Sequence, residues 1–131
     1  ITDQEATALL AKIHAIADTV DAENTQLQYL PISEMFDANA SPKMAVFEQI
    51  PQGAIIEIVR PNWDIKEKIG TNLNVSHVGF AIWKTKQLYY RQASSIEQRV
   101  IDIPLIDYLR YRLVSPSIKG INIQALVNSN E

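Results

Sequence analysis

Two histidines, His14 and His77, are the side chains of this chain able to exchange a proton near neutral pH, and only one has neighbours that suggest chemistry. His77 lies in the run Ser76-His77-Val78-Gly79-Phe80-Ala81-Ile82-Trp83, which reads as a strand. Alternation places Val78, Phe80 and Ile82 on one face and His77, Gly79 and Ala81 on the other. The imidazole thus shares its face with the two smallest side chains of the run. Gln87 to Ala93 reads as the second arm of a hairpin. With Lys84-Thr85 as a two-residue loop, Trp83 pairs with Lys86 and His77 falls opposite Gln92, on the same face. A three-residue loop would turn Gln92 to the other face. In the first register a carboxamide oxygen can accept the imidazole N–H, fixing its tautomer and orientation. That is the third-group role in nucleophile, base and orienter catalysis. On pattern alone a histidine beside a glutamine is more often a satisfied structural pair, and the pattern does not decide between the two.

No residue of the sequence reads as a nucleophile. There is no cysteine, which excludes disulfides, thiolate metal sites and a cysteine nucleophile within these residues. Two histidines far apart make a dedicated zinc site improbable, and no cofactor is expected. Ser76 and Ser94 flank the site but read as strand-end hydrogen-bonding groups. Asp102, Asp107 and Glu97 read as strand-end or helix-end charges. Tyr89, Tyr90, Tyr108 and Tyr111 read first as core aromatics, with glycan or peptide contact as the alternative.

The positioning elements follow from pattern. Thr2-Asp3-Gln4-Glu5 is a capping box, and apolar residues at helical spacing behind it predict a helix from Asp3 to Thr19 with His14 at the edge of its stripe. Polar residues from Asp21 to Gln26 end it. A turn at Pro51-Gln52-Gly53 precedes a strand over Ala54 to Arg60, and a polar connection runs from Pro61 to Asn74. After the hairpin come a strand from Arg99 to Ile103, a short helix opened by Pro104 and ending at Arg110, and a last strand from Ile121 to Val127. Sequential strands without a βαβ alternation predict an α+β domain, with helices beside an antiparallel sheet. The apolar content of Ser76–Trp83 predicts a strand covered on both faces. An apolar fraction of 47% fits a globular core, and a net charge of −3 without a basic stripe argues against nucleic acid. No apolar run approaches the roughly 18 residues of a membrane span.

Several segments, in order, resemble the N-acetylmuramoyl-L-alanine amidase-like family, related to the NlpC-type papain-like cysteine hydrolases. Tyr29-Leu30-Pro31 is similar to its Tyr-Ile-Pro element. Ile50-Pro51-Gln52-Gly53-Ala54-Ile55-Ile56 resembles Ile-Pro-x-Gly-Asp-Ile-Ile, with Ala54 in place of the acid. Asn74-Val75-Ser76-His77-Val78-Gly79 resembles the strand presenting the family's catalytic histidine. Tyr90-Arg91-Gln92-Ala93-Ser94 resembles Phe-x-His-Ala-Ser, whose histidine is the third catalytic residue. Val100-Ile101-Asp102-Ile103-Pro104-Leu105, Asp107-Tyr108-Leu109 and Gly120-Ile121 complete the series.

The resemblance implies a papain-like NlpC-type fold, a partial barrel of antiparallel strands with flanking helices. Within it, residues 1–131 form the C-terminal part of one amidase-like domain. It implies hydrolysis of an amide bond in bacterial peptidoglycan, with His77 as proton carrier and Gln92, standing for the usual histidine, as orienter. The cysteine would come from an upstream Asp-Cys-x-Thr-Phe-Val element, so this chain alone is expected to be inactive. The implied partners are peptidoglycan fragments and that N-terminal part. The implied place is the bacterial cell envelope, periplasmic or secreted. The face of Gly79 and Ala81 is expected to be covered by polypeptide outside the assigned segments, or left exposed. The alternative is a non-catalytic module of the same descent that binds cell-wall fragments or a protein partner.

Overall fold

The computed structural model describes residues 2–17, 28–69 and 72–126. The capping box closes as its residue types require. Thr2 N–H donates to Glu5 Oε2 at 2.7 Å, and Glu5 N–H donates to Thr2 Oγ1 at 3.1 Å. Hydrogen bonding of the Glu5 carboxyl to the Thr2 backbone N–H, and then to the Thr2 hydroxyl, holds it below its ordinary pKa. Helix α1, Asp3–Ala17, starts there, and its Leu9 and Leu10 are exposed. The expected end at Thr19, the break from Asp21 to Gln26 and the side chain of His14 lie outside the described residues.

The rest is built on one sheet. Its strands are β1 (Leu30–Pro31), β2 (Ile55–Trp63), β3 (Leu73–Lys84), β4 (Gln87–Ser94), β5 (Arg99–Pro104) and β6 (Gly120–Gln124). They lie in the order β1-β6-β2-β3-β4-β5, every neighbouring pair antiparallel. The expected end of the last strand at Val127 lies outside the described residues. Short helices α2 (Met44–Phe47), α3 (Lys66–Ile69) and α4 (Leu105–Arg112) interrupt the chain. Pro104 caps α4 rather than opening it, and the helix runs two residues past Arg110. The polar connection is shorter than expected because β2 extends to Trp63 and β3 begins at Leu73, through a bulge at Val59.

Two expectations need correction. The sheet is open, with β1 and β5 as its edges, and among the described residues it carries few helices, of which α4 is the main cover. The α+β papain-like fold of NlpC type, with a partial barrel and flanking helices, is therefore not what the chain forms. The physical reason is that more of the described residues lie in strands than in helices, while two of the three helices after α1 are single turns.

The second correction concerns the faces of β3. The face of Gly79 and Ala81 is the core face, covered by this chain's own Ile56, Ile58, Tyr90, Leu105 and Leu109, all fully buried. The larger side chains on the other face are the open ones, with Val78 at 49% and Phe80 at 45% exposure. Small residues sit inside because a bulky ring lies over them. On the open face Asp102 receives a forked pair of bonds from Arg91 at 2.8 and 2.9 Å and a third from Lys84 at 2.8 Å. Those two cations hold the Asp102 carboxyl well below the usual range.

Candidate active site

The hairpin that carries the site turns at Thr85-Lys86, both left-handed, with φ of 50° and 64°. Lys84 pairs with Gln87, Trp83 with Leu88 and Phe80 with Arg91. The register is thus two residues from the one expected, which would have paired Trp83 with Lys86. Continued along the ladder, it sets Gln92 across from Gly79 rather than from His77. A shift of two keeps every side chain on its face. Gln92 therefore remains beside His77 as a diagonal neighbour, within reach of a long side chain.

The contact forms. His77 Nε2 is hydrogen-bonded to Gln92 Oε1. A carboxamide oxygen can only accept, so Nε2 carries the proton and Nδ1 is the basic nitrogen. Nδ1 has no hydrogen-bond partner among the described residues. Both side chains are half-buried.

A third residue fixes the imidazole. The Tyr90 ring, opposite Ala81 in the ladder, leans along the core face across Gly79 and meets His77 edge to face, centroids 5.9 Å apart. Its hydroxyl donates to the buried Ile56 carbonyl at 3.2 Å. Gly79 is what lets the ring lie there: a Cβ at that position would fall 2.5 Å from Tyr90 Cε1 and 2.7 Å from the Arg91 carbonyl oxygen. Burial pushes the Tyr90 hydroxyl far above its ordinary pKa, so it stays a neutral donor. The sequence reading placed Tyr90 first among core aromatics, with glycan or peptide contact as the alternative, and not as a support for His77. Its parity with Gln92, which puts a large ring on the small-residue face, was the available signal.

The turn at Pro51-Gln52-Gly53 braces the far end of β3. Gly53 N–H donates to the Ala81 carbonyl at 2.8 Å and Ala81 N–H donates to the Ala54 carbonyl at 2.8 Å. Gly53 has φ of 76°, a conformation glycine adopts at no steric cost. Trp83 Nε1–H donates to the Ile50 carbonyl at 2.8 Å.

Other candidates fall away. Ser94 Oγ accepts from Glu97 N–H at 3.1 Å, a turn bond. Asp102 is on the opposite face from His77, and Asp107 is paired with Arg110 at 3.0 Å. Tyr89 carries the Lys84 ammonium over its ring at 4.5 Å. Tyr108 packs on Tyr90, centroids 5.1 Å apart, while Tyr111 is exposed. Among the described residues no group of three acidic, histidine or cysteine side chains is placed to hold a metal, and no helix is long and apolar enough to cross a membrane.

Known structures share this fold. The chain is similar, at 43% identity and a TM-score of 0.82, to the crystal structure of a Legionella pneumophila protein of the DUF1460 family, covering 98% of this chain and 42% of that one. It is similar in fold to an N-acetylmuramoyl-L-alanine amidase from Bacteroides uniformis, at 22% identity and a TM-score of 0.53, over 90% of this chain and 42% of that one. A putative xylanase from Bacteroides fragilis gives 23% identity and a TM-score of 0.52, over 95% of this chain and 45% of that one. The chain thus spans less than half the length of each of these structures. No curated protein matches it. The family model for N-acetylmuramoyl-L-alanine amidase-like proteins matches residues 2–115, which include His77, Tyr90 and Gln92, and the chain belongs to that family.

Proposed function

We propose that this chain carries the general base of a peptidoglycan amidase whose nucleophile is a cysteine supplied from outside these 131 residues. The observation that supports it is the His77–Gln92 pair, which protonates Nε2 and leaves Nδ1 free to face a thiol. Nδ1 takes the thiol proton as the thiolate attacks the amide carbonyl. It returns that proton to the amine nitrogen as the C–N bond breaks, leaving a thioester. Water then attacks the thioester, giving its proton to Nδ1, and the carboxylic acid and thiol are released. Gln92 holds the ring in one orientation throughout. The oxyanion is held by donors from the cysteine-bearing part. The bond cleaved is an amide of the cell-wall peptide in the bacterial envelope.

The test is release of muropeptide fragments from purified peptidoglycan by the complete protein. Turnover should vanish on thiol alkylation and fall by roughly 10²–10⁴-fold in His77→Ala, with the fold intact. Gln92→Ala should cost less, and Gln92→His should be tolerated. A folded complete protein that releases nothing, or a His77→Ala protein matching the unmodified one, would sink the proposal. The absence of cysteine favours a second reading, a non-catalytic module binding cell-wall fragments, and that result would select it.

A further inference from the structure

A groove of about 400 Å³ opens beside the site, its wall running from Gln92 through Ile101 and Ile103 of β5 to Tyr108, Tyr111 and Arg112 of α4. Gln92 belongs to both, so the groove adjoins the side chain that is bonded to the imidazole. Its character is set by three side chains. The Arg112 guanidinium lies over the Tyr108 ring at 3.5 Å and donates one bond to the Tyr108 carbonyl at 3.1 Å. Tyr108 in turn packs on Tyr90, and Tyr90 on His77. A continuous stack thus fixes Arg112 relative to the imidazole. Tyr111 supplies an exposed aromatic wall beside it.

Charge decides what the groove takes. Its carboxylates are already engaged: Asp107 is bonded to Arg110 at 3.0 Å, and Glu97 lies 4.0 Å from Arg99. Arg112 forms no ion pair with any described carboxylate, so its positive charge is unspent. A flat guanidinium with N–H groups to spare is matched to a carboxylate, which it can grip with two parallel bonds. We infer that Arg112 reads a free carboxylate on the peptide of the substrate, and that the groove between Gln92 and Tyr111 is the peptide-binding subsite. This rests on the amidase reading for its place in catalysis, but its own content is recognition of an anionic peptide.

Calorimetry on the complete protein carrying His77→Ala, which keeps the probe intact, tests it. The probe is N-acetylmuramoyl-L-alanyl-D-isoglutamine, with one free carboxylate, against the same compound with that carboxylate amidated. The acid should bind roughly tenfold to hundredfold more tightly, the range of a charge-assisted bond. Arg112→Gln should abolish the preference, Arg112→Lys should keep part of it, and added salt should weaken the acid alone. A helix-end charge with a merely structural role would shift stability and leave the acid-to-amide ratio unchanged. Equal affinity for acid and amide, no measurable binding of the acid, or a preference that survives Arg112→Gln would overturn the inference. The two proposals fail separately. Binding with the predicted preference but no hydrolysis by the unmutated protein would remove the amidase and leave the subsite; hydrolysis indifferent to Arg112 would do the reverse.

Discussion

Replacing Gly79 by alanine adds one methyl group, and the structure indicates where it goes. The new Cβ would stand 2.5 and 2.7 Å from two carbons of the Tyr90 ring and 2.7 Å from the Arg91 carbonyl oxygen. None of these is the loose end of a flexible chain. The ring is fully buried between Ala81, His77 and Tyr108, and the carbonyl belongs to the neighbouring strand. Overpacking a core costs about 1–3 kcal/mol, and a site that cannot yield falls at the upper end. If the ring moves to relieve the clash, its hydroxyl leaves the Ile56 carbonyl, a bond worth about 1 kcal/mol net. The expected loss is about 3 kcal/mol, a large part of the 5–15 kcal/mol typical of a domain. Urea unfolding followed by tryptophan fluorescence should show the midpoint falling by roughly 1–3 M at an m-value of about 1–3 kcal/mol/M. The cause can be isolated with Tyr90→Leu, which removes the two ring contacts and leaves the one to the Arg91 carbonyl. The double variant should therefore be less destabilised than the separate losses imply, by at least about 1 kcal/mol of coupling. A Gly79→Ala protein within about 0.5 kcal/mol of the parent, or strictly additive losses, would refute the claim that Gly79 exists to seat the Tyr90 ring.

Two further predictions bear on other parts of the fold. Thr85 and Lys86 both hold left-handed backbone angles, which strain a β-branched residue, so Thr85→Asn with Lys86→Gly should stabilise by about 1 kcal/mol. A melting curve should rise by roughly 4 °C, and no rise would mean the turn is of another type. Asp102 has its carboxyl depressed by Arg91 and Lys84, so its contribution is present above the ordinary carboxylate pKa of about 4 and is lost as pH falls below it toward the folded value. Asp102→Asn should therefore lower the urea midpoint at pH 7, and the gap to the parent should close in acid. A gap that is unchanged or wider in acid would contradict the sign.

What could be read from the sequence was whatever depends on local chemistry or on parity. The capping box needs only Thr2 and Glu5 three apart, and it forms. The Pro51-Gln52-Gly53 turn needs one left-handed residue, and Gly53 supplies it. The coverage of the sheet was not legible, because exposure is not written in a strand's own composition. Val78 and Phe80 are as apolar as any core pair, yet they face outward, and the pattern that suggested a strand covered on both sides could not tell the two apart. The groove was equally hidden. Tyr108 and Arg112 are four apart on α4, where helical geometry brings them together, but what lies beyond them depends on how α4 sits against β5.

The His77–Gln92 contact was legible through an error that its geometry forgives. Nothing in Lys84-Thr85-Lys86-Gln87 specifies which two residues turn, since none is glycine or asparagine, and the expected register came out two residues from the observed one. Moving a strand by two carries each side chain about 7 Å along its own face, whereas moving it by one sends the side chain through the sheet. Gln92 thus lost its place directly across from His77 and kept its face. A glutamine side chain is long enough to cover a diagonal step, so the bond survives. A shorter side chain there, asparagine for instance, would have made the pair depend on the register. The position vacated across from Gln92 belongs to Gly79, and its empty space admits the Tyr90 ring that steadies the imidazole. The same two-residue offset that upset the expected pairing is therefore what makes room for the third member of the site.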